Sequence, residues 1–210
     1  MRPQLLAQAL VAIEPETNLA KFQEIAGISS RSVAKSVLDF LSSNGIGSIS
    51  KQAVAFRDSD RLKVAALALQ MGCDVEQVSK QLSWQDFEKL ASQVLMSFGY
   101  KTQTNLRFTK PRMEIDVVGV NSGFAIVVDC KHWKRNNLSS ISNYSRKQAA
   151  RAECLIQQDK KISQAVPVIL TLHAESVRFV SGIPIVPIFR FKSFVMDVKG
   201  FLPEIYVVAG

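Results

Sequence analysis

Apolar residues recur along this chain with two different periods. At helical spacing, residues 3–13 place Leu5, Leu6, Ala9, Leu10 and Ile13 on one stripe, and Leu19, Phe22 and Ile25 form another. Glu14-Pro15-Glu16-Thr17 breaks the chain between them, and Asn18 is an N-cap residue for the second. After the turn Gly27-Ile28-Ser29, Ser29 or Ser30 caps a longer predicted helix with Val33, Val37 and Leu41 apolar, ending near Asn44-Gly45. Residues 46–56 read as two short strands. A further helix is predicted from Asp58 or Ser59 to Met71, stopped by Gly72, and a short one over 75–82. Ser83 and Asp86 then make a capping-box-like start, and Phe87, Leu90, Ala91, Val94, Leu95 and Phe98 line one face until Gly99.

Beyond Gly99 the pattern becomes that of strands. Residues 101–107 read as a strand and 109–112 as a basic loop. Val117, Val118 and Val120 belong to the next strand, Asn121-Ser122-Gly123 is a turn signal, and 124–128 is a continuous apolar run, so a β-hairpin is predicted. Residues 134–143 are predicted as a polar loop and 145–157 as a helix with Ala149, Ala152, Leu155 and Ile156 apolar. Residues 166–172 are a further core strand. Pro184 and Pro187 confine a strand at 183–189 to a sheet edge. A short helix is predicted over 193–198. The pattern divides the chain into a mostly helical domain, 1–82, and an α/β domain, 83–210, with the order helix, strand, strand, strand, helix, strand.

Charge changes the picture in the second half. The chain of 210 residues has a net charge of +8. Residues 1–82 carry nine Lys/Arg against eight Asp/Glu, whereas 83–210 carry seventeen against ten. Between Lys101 and Arg151 ten basic residues surround only three acids, Glu114, Asp116 and Asp129. Such a field suits a polyanion, nucleic acid first of all. The three cysteines, Cys73, Cys130 and Cys154, contain no C-x-x-C pair, and His132 and His173 are too few for a zinc site. These features, with no apolar run of membrane-spanning length and no signal peptide, make a reducing cytoplasm the expectation.

Candidate chemistry sits in the hairpin. Strand alternation puts Glu114 and Asp116 on one face of its first strand and Val127, Asp129 and Lys131 on one face of its second. Two carboxylates from adjacent strands can hold Mg²⁺ through hard oxygen ligands, and a lysine beside them can orient the attacking water. Glu88 lies at the edge of the buried face of its helix and is a further ligand or water-orienting candidate.

Two resemblances follow from these residues. The helices on either side of Gly27, with the short strands of 46–56, resemble a winged helix. That resemblance implies either DNA contact by the first turn of the second helix, at Arg31 and Lys35, with Lys51 and Gln52 at the wing tip, or a dimerisation or protein-docking module, which the near-neutral charge of the segment leaves open. Phe87-Glu88-x-x-Ala91, Phe98-Gly99-Tyr100, Ile115-Asp116-Val117-Val118 and Val128-Asp129-Cys130-Lys131-x-Trp133, in the element order above, resemble the PD-(D/E)XK nuclease superfamily. The nearer likeness is to its Mrr-like restriction endonuclease and archaeal Holliday-junction-resolvase-like branch, over about residues 83–172.

The second resemblance implies a restriction-endonuclease-like core with a mixed central sheet flanked by helices, and Mg²⁺-dependent hydrolysis of DNA, with Mn²⁺ as a substitute. Asp116 and Asp129, with Glu88, would hold the metal, and Lys131 would assist the water. Lys110, Arg112, Lys134, Arg135, Arg146, Lys147 and Gln148 are the expected DNA contacts around them. Asp129 stands where many members of this branch carry Glu or Gln, and Ile115 stands where the superfamily pattern has proline. The alternative is a DNA-binding scaffold with a nuclease-like fold and no catalysis. A junction substrate would further imply a homodimer, since two symmetric nicks need two sites. Restriction and repair are both open.

Overall fold

The strand and helix periods resolve into two units, Met1–Asp86 and Phe87–Gly210. The computed structural model describes residues 1–50, 53–74, 77–78, 80–131, 138–171 and 178–210.

In the first unit, α1 (Pro3–Ala9) has its proline in the first turn, where a missing N–H costs nothing, and runs on as a 3₁₀ turn over Leu10–Ala12. Asn18 accepts a hydrogen bond from the Lys21 N–H at 3.0 Å and so starts α2 (Leu19–Ile25). Gly27 reverses the chain with φ +63°, and α3 (Arg31–Ser43) follows. Its stripe of Ala34, Val37, Leu38 and Leu41 is buried. The strands β2 (Ser48–Ile49) and β3 (Val54–Ala55) form as predicted, and α4 (Asp60–Gln70) closes the unit.

Residues 14–17, predicted as a break, contribute a third strand: β1 (Glu16–Thr17) pairs antiparallel with β3. A two-residue strand has no period to detect, and backbone pairing alone specifies it. The helix predicted over 75–82 includes residues outside those described, as are Lys51 and Gln52.

The second unit is built on a seven-stranded mixed sheet. Ser83 and Asp86 cap α5 (Trp84–Ser97) reciprocally, with Asp86 Oδ2 accepting from the Ser83 N–H at 2.7 Å. Then β4 (Lys101–Thr109), β5 (Arg112–Asn121) and β6 (Phe124–Lys131) follow, with β5 antiparallel to both of its neighbours. The turn after β5 uses Ser122 and Gly123 at φ +49° and +80°, the left-handed pair that a two-residue hairpin needs. The crossover helix α6 (Leu138–Gln158) returns the chain to β7 (Gln164–Thr171), which lies parallel to β6.

The helix starts at Leu138, within the stretch predicted as loop. Ile141 explains the longer helix, because it is buried with Ile169, Ile183 and Ile185 and extends the apolar stripe upstream. Further along, Ala152, Leu155 and Ile156 pack on Val118, Ala125 and Val127 of the sheet. On α5, Leu95 lies over Gly119, where an added Cβ would come within 3.0 Å of it.

The strand β9 (Ile183–Pro187), expected at an edge, is flanked on both sides: β7 pairs with it in parallel and β8 (Arg178–Val180) covers its outer side. The short β8 lacks enough residues to show alternation, so the sequence left β9 looking unpaired. After α7 (Phe191–Phe201), β10 (Val208–Ala209) pairs with the start of β7. Among the described residues no helix is long and apolar enough to cross a membrane.

Asp60 is 1% exposed and accepts hydrogen bonds from the Gly47 N–H at 3.1 Å, the Arg57 N–H at 2.8 Å and Lys63 Nζ at 2.8 Å. Asp60→Ala strands two backbone donors, and a loss of about 2–3 kcal/mol is expected in chemical denaturation. A loss below about 0.5 kcal/mol would show that water reaches both donors.

Candidate active site

The ladder between β5 and β6 runs from Asn121↔Phe124 to Val117↔Val128. Continued by one step, it would set Asp116 opposite Asp129. It stops there, and the Cys130 N–H donates instead to Asp116 Oδ2 at 2.8 Å. The β4–β5 ladder is interrupted at the same level. Asn105 lies between the pairs Thr104↔Val117 and Leu106↔Ile115, with φ +53°. Asparagine is among the few residues that enter this left-handed region at modest cost. Its amide donates to Glu88 Oε2 on α5 at 3.1 Å. The break in both ladders thus brings side chains from α5, β4, β5 and β6 together.

Asp129 is the most buried acid of the group, at 1% exposure. Its Oδ1 accepts from Lys131 Nζ at 2.9 Å and from Arg151 Nη1 at 2.8 Å. Lys131 Nζ is also 2.9 Å from Oδ2, a distance that makes an ion pair but lacks hydrogen-bond geometry. The ammonium thus sits equally close to both oxygens, and Oδ2 is buried against it. Lys131 lies over the Tyr144 ring, 5.2 Å from its centre, which adds cation–π attraction. Arg151 Nη1 donates in addition to Gln148 Oε1 at 3.1 Å, and Gln148 Nε2 donates to the Val127 and Val168 carbonyls at 2.7 and 3.1 Å. The guanidinium is thereby tethered to the two central strands.

Burial and the neighbouring Asp129 charge raise the Asp116 carboxyl to about 6, against the opposing pull of the Cys130 N–H, Lys131 and Arg151. The Cys130 thiol is pushed well above its usual value by burial and by the charges of Asp116, Asp129 and Glu88. Three carboxylates thus act on one point. Among the described residues no three His, Cys, Asp or Glu side chains cluster at metal-ligating range. Among the described residues, Asp116 and Asp129 are the carboxylate pair placed to meet a cation. Two carboxylates, one buried and the other with its carboxyl raised by burial and its neighbour's charge, are a donor set that fits a small hard divalent ion taking its remaining ligands from water or substrate.

The other predicted residues divide. Arg31 and Lys35 are exposed on α3 and line a cavity of about 490 Å³ with Ile49 and Ser50 of the β2–β3 hairpin. Lys110 and Arg112 are exposed at the β4–β5 turn, where Arg107 pairs with Glu114 at 3.4 Å. Arg146 and Lys147 are exposed on α6. Gln148, expected to contact DNA, is instead 0% exposed, with its amide committed to the sheet and to Arg151. Helical spacing from Ala152 and Leu155 would have put it on the buried stripe. Lys134, Arg135, His132 and His173 lie outside the described residues. Arg151 and Asn105 were not anticipated. The signal for Arg151 was its i,i+3 spacing from Gln148 on that same stripe, whereas the sequence carries none for Asn105.

The comparisons with known proteins bear on this region. Over residues 79–157 the chain matches the family model Mrr_cat, restriction endonuclease. This stretch is restriction-endonuclease-like. An uncharacterised protein of Archaeoglobus fulgidus is 28% identical over 127 residues, covering 59% of this chain and 97% of that protein. Two solved structures are similar in part. The protein of unknown function AF1548 is 22% identical over 40% of this chain, with a TM-score of 0.31. VC1899 from Vibrio cholerae is 12% identical over 97% of this chain, with a TM-score of 0.39. The chain spans about half the length of each, 46% and 52%. The nuclease-like stretch contains Glu88, Asp116, Asp129, Lys131, Gln148 and Arg151.

A carboxyl raised on folding favours the protonated native state, so its destabilising effect grows as pH rises from about 4, the unfolded value, and is complete above about 6. In metal-free protein, Asp116→Asn is expected to melt at a higher temperature than wild type above pH 6, with the gap closing towards pH 4. Equal melting temperatures at pH 8 would contradict the raised carboxyl.

Proposed function

We propose that the second unit is a metal-dependent endodeoxyribonuclease. The observation that carries this reading is the convergence of Asp116, Asp129 and Lys131 at the broken ladder, where burial and the Asp129 charge raise the Asp116 carboxyl. Asp116 and Asp129 would hold Mg²⁺, with Glu88 beside them. Bound there, the ion would supply positive charge for the phosphoryl oxygens and a more acidic water. Lys131, fixed by Asp129 and the Tyr144 ring, would orient the attacking water and stabilise the charge that develops on the phosphate. The exposed Lys110, Arg112, Arg146 and Lys147 would contact DNA phosphates, which position the duplex without reading its sequence. In the first unit, Arg31 and Lys35 beside the β2–β3 hairpin support a DNA-presenting winged helix.

A second reading has its own observation. Lys131 and Arg151 both pair with Asp129 and can balance its charge by themselves, as a DNA-binding scaffold with a nuclease-like fold would require. Divalent-ion binding measured by calorimetry separates the two, since a scaffold that binds DNA needs none.

Asp116→Asn removes a metal ligand while, by the pH argument above, stabilising the metal-free fold. Its Mg²⁺-dependent cleavage of duplex DNA is expected to fall by at least about 100-fold, as is that of Lys131→Ala. Undiminished cleavage by both variants would sink the nuclease reading.

A further inference from the structure

We infer that Arg151 is a positioning residue that serves as an internal counter-ion: it holds back divalent-cation loading until a phosphodiester brings its own negative charge, so that metal and DNA bind with positive coupling. The inference rests on the metal site proposed above and concerns its regulation.

The geometry carries it. Asp129 already has two cations within 2.9 Å, Lys131 and Arg151. Formally these cancel Asp116 and Asp129, so the innermost four groups are neutral before any ion arrives. The remaining nearby acid, Glu88, is engaged by Asn105. A divalent cation entering here meets two fixed positive charges and gains little net attraction. A phosphate entering with it meets the same charges as attraction. Linkage then makes each ligand raise the affinity of the other by the same factor.

Arg151 is suited to this role because it is not a loose surface pair. Its side chain is 21% exposed, and Nη1 is shared between Asp129 Oδ1 and Gln148 Oε1. Gln148 is itself 0% exposed and held by carbonyls on β6 and β7. The guanidinium cannot leave without giving up both acceptors. Its two bonds fall on Asp129 Oδ1 and on Gln148 Oε1, so Arg151 itself makes none to Oδ2, the oxygen that faces Lys131 Nζ at 2.9 Å.

The test uses the full chain. Mn²⁺ affinity is measured by calorimetry without DNA and with a short phosphorothioate duplex, for wild type, Arg151→Gln and Arg151→Lys. Arg151→Gln is expected to bind Mn²⁺ alone about tenfold more tightly than wild type and the duplex alone more weakly, with the coupling between them falling towards none. Arg151→Lys keeps the charge and stays near wild type. A purely structural arginine would give the opposite sign, since its loss would weaken both ligands. Unchanged or weaker Mn²⁺ binding by Arg151→Gln, or coupling equal to wild type, overturns the inference. If the near-ultraviolet circular dichroism of Arg151→Gln shows a disturbed fold, Arg151→Met carries the same expectation. If wild type binds no Mn²⁺ with or without the duplex, the metal site itself is overturned, and this inference with it.

Discussion

A carboxylate that is almost wholly buried at the end of a central strand is the constraint on which this domain turns. Left alone, Asp129 would cost several kcal/mol, because neither water nor backbone solvates it there. The chain answers with one cation from the same strand and one from the crossover helix. That second contact fixes the helix. Arg151 reaches Asp129 only in the register that also puts Ala152, Leu155 and Ile156 into the core and Gln148 against the β6 and β7 carbonyls. Apolar packing and charge pairing therefore select the same placement of α6, and each would be frustrated without the other.

The price of the arrangement is local. Both ladders around β5 are interrupted at Asp116, Asn105 enters the left-handed region, and a carboxyl is raised to about 6. Each feature works against stability, and all three meet at one level of the sheet. Departures from regular structure that coincide in this way are where a protein trades stability for function. By contrast β6 and β7 pair without interruption over eight residues, and Val118, Ala125, Val127 and Ala165 of the sheet pack in one apolar cluster with Ala152, Leu155 and Ile156 of α6.

Much of this was legible in the sequence, for identifiable reasons. The hairpin was announced by Asn121-Ser122-Gly123 between valine-rich runs, and α5 by Ser83, Asp86 and a stripe from Phe87 to Leu95. The Asp-x-Lys pair was visible because two-residue spacing keeps both side chains on one face. What stayed hidden depended on partners far away in sequence. Arg151 looked like one more basic residue until α6 packed against Asp129, twenty-two residues earlier. Gln148 looked like a substrate contact until its amide was seen to serve the sheet. The strands β1 and β8 are two and three residues long, too short to carry a period. The early start of α6 was masked by polar residues on its solvent side, although Ile141 marked the buried one.

In the proposed nuclease, Asp116 and Asp129 come together to hold a divalent cation. Anomalous diffraction from crystals soaked in Mn²⁺, with and without a bound duplex, tests it most directly. A peak is expected about 2.0–2.4 Å from one oxygen of each carboxylate. No peak in either crystal, with Asp129 held by Lys131 and Arg151 alone, would contradict it and leave a DNA-binding scaffold as the better description.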